Sequence, residues 1–522
     1  MRSYSITFWS AALLSFSFTA AGQIQPASPD SALQSILATF EGTRLPLNDA
    51  VQRALTNATS VRTAEAAYGA ARGSARREAG TFDPALFFGV NYVDQRQPTA
   101  SFFAGAAVLG TTQTTGTAGM RWESPVGTKI EASLNAVRLV SNSSFAFLNP
   151  QFTTLGTLSF RQPLLGGFHV SARKDLTKAE RDMDAAQARY DQEVMAVATR
   201  VEQSYWDLYA AERDFAVQKL TRDRAAAFLT DTEVRANTGL VGPNQVANAK
   251  TFLAEQEILL LDREEHLERL SDQFASLIGT RPEAGKHRFL TVDSPPGDFF
   301  IDEADSLVVH AIAGNLQLRA ARSDVEGRRA LSSAAFWEAL PRVDVVGSLG
   351  GSGLAGTAQD VIFGTDTLRT TVGGAFSDAA RQAVRRQYPT WSVGVEVNIP
   401  IGLRSGLGEE DRLEEEVRIA DQEYIRQSRV LEEQVRASHQ ELANGKRRLK
   451  AAREGVDAAQ EQVRIGLIEF QNGRSTAFEL VRLGADYAIA QQRYSQALVR
   501  SAKAAAQLRQ LTSGAYSGAS TR

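Results

Sequence analysis

A seven-residue spacing of apolar and small side chains, present twice in the chain, constrains the fold more than any other feature. In the first copy two series of positions recur at this spacing, namely Val194, Val201, Leu208 and Phe215, and Tyr190, Val197, Ser204 and Ala211. These are the two seam positions at which helices of a coiled coil pack side by side. The spacing predicts a long helix over residues 172 to 236, which is about 65 residues, or about 97 Å, at 1.5 Å per residue.

The second copy of this seam lies 234 residues further on, at Ser428, Val435, Leu442 and Leu449, and at Tyr424, Leu431, Ser438 and Gly445. Each long helix is followed by a turn with a glycine, Gly239 in RANTGLVG and Gly473 in QNGRST. A return helix is predicted after each turn, over residues 245 to 278 and 479 to 511. The chain is therefore internally duplicated, with two long antiparallel helical hairpins.

Shorter lead-in helices are duplicated as well, because Ala54 and Arg62 correspond to Ala311 and Arg319. They are predicted over residues 47 to 79, with an interruption near Asn57, and over residues 305 to 338. A lead-in helix and a return helix together match the length of one long helix. We expect each such pair to stack end to end beside a long helix, with strands at one end and glycine turns at the other.

Four stretches alternate between apolar and polar residues, as strands with one apolar face do. They are ALFFGVNYV, the segment from Phe152 to Leu164, RVDVVGSLG and WSVGVEVNIPI, and an additional hairpin is predicted within 112 to 140, turning at Pro125 to Gly127. Four principal strands cannot close a membrane barrel, because the smallest bacterial barrels use about 8. Several copies must share one barrel, and three copies would supply about 12 strands.

Composition argues against several functions. The chain of 522 residues contains no cysteine, and its five histidines are dispersed without paired metal-ligand spacing. A formal net charge of -3 gives no bias toward nucleic acid. Neither a nucleophile elbow nor a phosphate-binding loop is present, so we predict no catalytic residues, no cofactor, no metal and no enzymatic activity.

The two repeats are predicted to occupy most of the chain. Residues 1–23, with Arg2 before an apolar run, are typical of a signal peptide. A flexible lead-in is expected at 24–44, a linker at 280–300 and a flexible tail at 514–522. The first repeat covers 45–279, with strands at about 85–164 and a helical tip at 237–243. The second repeat covers 301–513, with strands at about 342–401 and a tip at 471–476.

The order of several motifs resembles that of the TolC-like outer membrane efflux protein family. These motifs are LNDAVQRALTNATSVRTAEAAYGAAR, FDPALFFGV, LPRVDVVGS, SFRQPLLGG, RANTGLVGPNQVANAK and QNGRSTAFELVRL. The resemblance implies an α+β membrane protein that forms a homotrimer, with a shared 12-stranded β-barrel in the lipid of the cell outer membrane and a large periplasmic α-barrel of coiled-coil hairpins. It implies a passive exit duct for an inner-membrane pump and a periplasmic adaptor, in drug efflux or type I protein secretion. The alternative is a periplasmic coiled-coil scaffold without channel activity.

The resemblance also assigns roles at the helical tips. The turns that contact the adaptor in the family correspond to Thr238, Gly239 and Leu240, and to Gly473, Arg474 and Ser475. Both glycines also suit a tight turn with positive φ. At the periplasmic entrance an acidic ring corresponds to Glu479, while Arg482 replaces the second acid of that ring. The polar links that hold the tip closed in the best-known member are missing, because Gln245 stands in the place of an acid and Ser475 in that of a basic residue. Glu479 equally suits the first turn of a solvated helix.

Overall fold

The computed structural model describes residues 29–472 and 474–516, and it arranges both halves of the chain on one plan. The first half contains α1 (Pro29–Ala38), β1 (Thr43–Leu45), α2 (Leu47–Asn57), α3 (Thr59–Ala79), β2 (Ala85–Pro98), β3 (Val108–Glu123), β4 (Lys129–Ser141), β5 (Leu148–Pro163), α4 (His169–Ala172), α5 (Lys174–Asn237) and α6 (Pro243–Ile278). The second half contains β6 (Phe289–Thr291), α7 (Ala304–Gly314), α8 (Leu316–Ala339), β7 (Arg342–Ala358), β8 (Val361–Phe363), β9 (Asp366–Leu368), α9 (Phe376–Val384), β10 (Tyr388–Asn398), α10 (Arg404–Gln471) and α11 (Ala477–Leu511). The predicted signal segment lies outside the described residues.

The long helices α5 and α10 contain 64 and 68 residues and carry the predicted seam. Leu208 and its counterpart Leu442 are completely buried, and Val201 and Val435 are as well. The apolar seam residues of both copies belong to, or pack against, one continuous hydrophobic core. The heptad assignment is therefore confirmed.

Each lead-in helix is broken at the place where a return helix ends. The backbone leaves the helical conformation at Ala58 and at Asn315. Asn57 Nδ2 donates to the carbonyl of Ile278 at 3.2 Å, and Asn315 Nδ2 donates to that of Leu511 at 3.0 Å. These bonds satisfy carbonyls that a helix end leaves without an intrahelical partner. The duplication predicted from the sequence thus extends to single hydrogen bonds.

The two halves pack against each other through α5 and α11. Lys503 Nζ contacts the Asp207 carboxylate at 2.7 Å, and Arg509 Nη1 contacts Glu202 Oε2 at 2.9 Å. Between these ion pairs lies the shared core described above. The chain is therefore held together by one layer of helices in which neither hairpin stands alone.

The lead-in and the linker are more ordered than predicted. Helix α1 packs on α5 near Ala216 and Val217. Strand β1 pairs in parallel with β6, which lies inside the predicted linker. The hydroxyl of Tyr205, on α5, donates to the Leu45 carbonyl at 3.1 Å and accepts from Val292 N at 2.9 Å. These contacts form a belt around the middle of the helices, and sequence composition alone did not reveal it.

Glu212 anchors this belt from the α5 side. Thr291 donates to its carboxylate from the backbone N at 2.7 Å and from Oγ1 at 2.8 Å. The side chain is buried, and burial raises the pKa of Glu212 to about 7, although the bonds from Thr291 oppose the rise.

The predicted flexible tail is docked as far as the described chain extends. Tyr516 is almost fully buried, and its hydroxyl donates to the Phe300 carbonyl at 2.7 Å. Residues 517–522 lie outside the described part of the chain.

Six strands form one antiparallel sheet, in the order β10, β7, β5, β4, β3, β2. The predicted number of four principal strands is wrong for this sheet. The additional hairpin predicted from the sequence forms β3 and β4, which lie between β2 and β5 and pair with them. Helix α9 packs on β7, where a Cβ at Gly353 would lie 2.0 Å from the Ala379 carbonyl oxygen. The α+β class with duplicated helical hairpins is confirmed.

The buried seam predicts a large cost for truncating Leu208. Leu208→Ala should lower the free energy of unfolding by about 2 to 5 kcal/mol, since it removes buried methyl groups and leaves a cavity. Denaturant unfolding followed by helical circular dichroism measures this change. Leu240→Ala is the control, because Leu240 is 76% exposed, and its effect should stay within about 0.5 kcal/mol. Equal effects of the two substitutions would contradict the seam.

Glu212 predicts a pH dependence of stability. Its pKa is raised above the ordinary value of 4.5, so the folded state favours the protonated form, and stability is lost as the pH rises from 4.5 to about 7. Glu212→Gln keeps an acceptor for Thr291 and should remove this loss, which amounts to at most about 3 kcal/mol. Parallel unfolding curves of both proteins across this pH range test the prediction. Curves that fall equally would show that Glu212 is not the titrating group.

Candidate functional site

The tip of the first hairpin is a tight turn built around Gly239. Gly239 has φ of +77°, a conformation that glycine adopts without steric cost. Leu240 N donates to the Arg235 carbonyl at 2.9 Å, and Thr238 Oγ1 donates to the same oxygen at 2.9 Å. These bonds close the end of α5 in the manner of a Schellman motif. The side chain of Leu240 is left exposed to solvent.

The tip of the second hairpin repeats one of these bonds. Arg474 N donates to the Glu469 carbonyl at 2.8 Å, which is the counterpart of the bond between Leu240 and Arg235. Arg474 is exposed and Ser475 is half-buried, whereas Gly473 lies outside the described residues. Thr476 caps α11, since its side chain accepts from Glu479 N at 3.3 Å.

The three predicted entrance residues are all exposed and lie near the two tips. Glu479 is in the first turn of α11, Arg482 follows about one turn later, and Gln245 is in the first turn of α6. Within the described part of the chain, no hydrogen bond or ion pair joins these three side chains to one another. The tips therefore present unpaired polar groups at the end of the helical layer.

Two contacts between the hairpins near the tips were not predicted from the sequence. The rings of Phe228 on α5 and Phe478 on α11 lie 6.0 Å apart. Arg224 Nη1 donates to the Gly484 carbonyl at 3.2 Å, and desolvation by burial lowers the pKa of Arg224. Gly484, a glycine inside a regular helix, is the sequence feature from which this close approach could have been predicted.

One face of the six-stranded sheet carries a ladder of ion pairs. Side chains alternate along each strand, so the register places the members of the ladder on one face. The pairs are Arg121 with Glu131 at 2.8 Å, Lys129 with Glu123 at 3.2 Å, Arg161 with Asp344 at 2.5 Å and with Glu396 at 2.6 Å, and Arg342 with Asp344 at 3.0 Å. The ladder crosses five neighbouring strands, from β3 to β10. Charged residues alternate with uncharged ones in the segments MRWES and TKIEAS, and the ladder could have been predicted from this pattern.

The opposite face of the sheet is apolar and exposed. On β2 it carries Leu86, Phe88, Val90 and Tyr92, and on β10 it carries Trp391, Val393, Val395 and Val397. Val90 is 82% exposed, although valine is usually buried in a folded protein. A sheet with one charged face and one exposed apolar face is suited to separate water from lipid.

No group of three or more metal-ligating side chains occurs among residues 29–472 and 474–516. Within the same residues, no helix combines the length and the apolar character that crossing a membrane requires.

Comparison with known proteins agrees with this geometry. The structure is similar to the outer-membrane channel OprN, with 16% identity, a TM-score of 0.62 and 90% of each chain covered. It is also similar to the outer membrane protein VceC from Vibrio cholerae, with 15% identity, a TM-score of 0.59, and 90% of this chain and 96% of that chain covered. The CmeC outer membrane channel of Campylobacter jejuni has 12% identity and a TM-score of 0.60, with 90% of this chain and 86% of that chain covered. At these identities the likeness concerns the fold.

The sequence comparisons extend this result to the family. Comparison with curated proteins gave no match. The family described as outer membrane efflux protein matches residues 50–280 and 307–514, which include most of both repeats. Each matched segment contains one long helical hairpin and its lead-in helix. The chain therefore belongs to the outer membrane efflux protein family.

Proposed function

We propose that three copies of this chain form a passive channel that carries substrate from the periplasm through the outer membrane. The observation that supports this proposal most is the sheet with one apolar and one charged face, joined to helices about 100 Å long at 1.5 Å per residue. In a closed wall the apolar face would contact lipid and the charged face would line a water-filled passage. The helices would continue this passage into the periplasm.

Assembly from several copies is supported by surfaces that a single chain leaves uncovered. Strands β2 and β10 are the two edges of the sheet, and lipid offers no hydrogen bonds to an open edge. Apolar side chains are also exposed along two helices, at Ile258 and Leu261 on α6 and at Ile419 on α10. Neighbouring copies would cover both the strand edges and these side chains.

The helical tips are the proposed docking surface for partner proteins. Thr238, Gly239 and Leu240, with Gly473, Arg474 and Ser475, would contact a periplasmic adaptor that joins the channel to an inner-membrane pump. The exposed Leu240 side chain supports this role, because a large apolar residue at a loop tip suits a protein contact. Any energy for transport would come from the pump.

The test of the proposal is conductance of the purified protein in a planar lipid bilayer. A trimer that inserts and passes ions supports the channel. A soluble rod that conducts no ions would overturn it and favour the periplasmic scaffold instead.

The entrance residues predict opposite shifts in ion selectivity. In the proposed trimer three copies of Glu479 and three of Arg482 would surround the entrance and partly offset each other. Glu479→Ala should shift the reversal potential under a salt gradient toward anion selectivity, and Arg482→Ala toward cation selectivity. Glu283→Ala, in the exposed linker, is the matched control and should cause no shift. Unchanged potentials in both tip variants would remove these residues from the entrance.

Substitutions of Val90 and Asn91, which are neighbours on β2, test which face of the sheet contacts lipid. Val90 points to the apolar face and Asn91 to the charged face. Val90→Arg should lower the stability of the inserted protein by about 2 to 4 kcal/mol if the residue lies near the midplane, whereas Asn91→Arg should be tolerated. The yield of heat-resistant trimer from the outer membrane measures the difference. Equal yields would show that β2 does not face lipid.

A further inference from the structure

The hairpin of β3 and β4 is part of the sheet itself. Strand β3 pairs with β2 over the full length of β2, from Ala85 opposite Arg121 to Pro98 opposite Val108. Strand β4 pairs with β5 from Lys129 opposite Arg161 to Leu139 opposite Gln151. Both outer edges of the hairpin are therefore occupied. The hairpin therefore cannot lie outside the sheet unless two complete ladders of hydrogen bonds are broken.

The side chains of this hairpin follow the same division into faces as the other strands. The face shared with Val90 carries Ala118, Met120, Trp122, Ile130, Ala132 and Leu134. The face shared with the ion-pair ladder carries Thr115, Thr117, Ser133 and Asn135, together with the charged residues of the ladder. A hairpin that lay outside a membrane barrel would not need apolar and polar side chains to alternate in this way. The pattern is typical of strands with lipid on one side and water on the other.

The two edges of the sheet are suited to each other. Because all neighbours are antiparallel, β2 runs away from the helices and β10 runs toward them, so β2 of one copy can pair antiparallel with β10 of the next. Successive pairing places Leu86 level with Trp391. From this level the exposed apolar residues of β2 continue away from the helices, up to Tyr92, whereas those of β10 continue toward the helices, up to Val397. The apolar band is therefore shifted along the sheet by about one residue per strand. Barrel closure requires a stagger of this kind.

We propose that each copy contributes six strands, so that three copies close one barrel of 18 strands instead of 12. This inference rests on the trimer proposed above and adds the size of its barrel. Barrel diameter grows roughly linearly with strand number, so the barrel would be about one and a half times as wide as a 12-stranded barrel. The ion-pair ladder would form a charged belt on its inner wall.

Pairs of cysteines distinguish the two barrels, and the native chain contains no cysteine that would interfere. Asn91→Cys with Thr115→Cys joins β2 to β3, and Ser133→Cys with Thr157→Cys joins β4 to β5. Both pairs should form disulfides within a chain in trimers extracted from the outer membrane. Asn91→Cys with Thr153→Cys should not, because the register places Thr153 level with Asn91 but three strand spacings, or about 14 Å, away, and a disulfide needs Cα atoms within about 7 Å.

A substitution pair tests the surroundings of the hairpin. Leu134→Arg should strongly reduce the yield of trimer, whereas Ser133→Arg, on the charged face, should leave most of it. A trimer of the Asn91→Cys, Thr153→Cys variant in which a disulfide links β2 directly to β5 would overturn the barrel of 18 strands. A yield of Leu134→Arg trimer equal to that of Ser133→Arg would overturn it as well. Failure of the unmodified protein to form any trimer would instead overturn the proposed function, and the wider barrel with it.

Discussion

The packing of α5 against its neighbours is the interaction on which the rest of the structure depends. Its seam residues are buried among both return helices, both lead-in segments and the linker, and they belong to the largest hydrophobic core of the chain. Burial of such side chains contributes about 1.5 to 3 kcal/mol each. Several ion pairs on α10, by contrast, join exposed side chains within that helix and contribute little. Helices α1, α2, α3, α6, α8 and α11 and strand β6 all pack against α5.

The sheet obeys a different constraint. Its six strands satisfy one another's backbone groups except at β2 and β10, and its two faces differ sharply in polarity. A single copy would leave both an exposed apolar face and two open edges, which in a water-soluble protein promote aggregation. In the proposed assembly, lipid would cover the apolar face and further copies of the chain would pair the open edges. The helical layer would then be the periplasmic extension of the proposed barrel.

Much of this architecture was predictable because it is periodic. The seven-residue spacing located α5 and α10, and the offset between the repeats located the turns at Gly239 and near Arg474. Alternation identified the strands, but strand number depends on pairing between distant segments, which no local pattern records. The belt around Tyr205 and Glu212 was missed for the same reason. Its hydrogen bonds join α5 to residues near 45 and 291, and those segments were predicted as a loose lead-in and a linker.

The central claim is that one chain is a third of a closed channel wall. Electron cryomicroscopy of the purified protein in lipid nanodiscs tests this claim most directly. The account predicts three copies around one axis, with β2 of each copy hydrogen bonded to β10 of the next and the ion-pair ladder facing the interior. A particle in which β2 and β10 remain unpaired, or in which Val90 faces the interior, would contradict it.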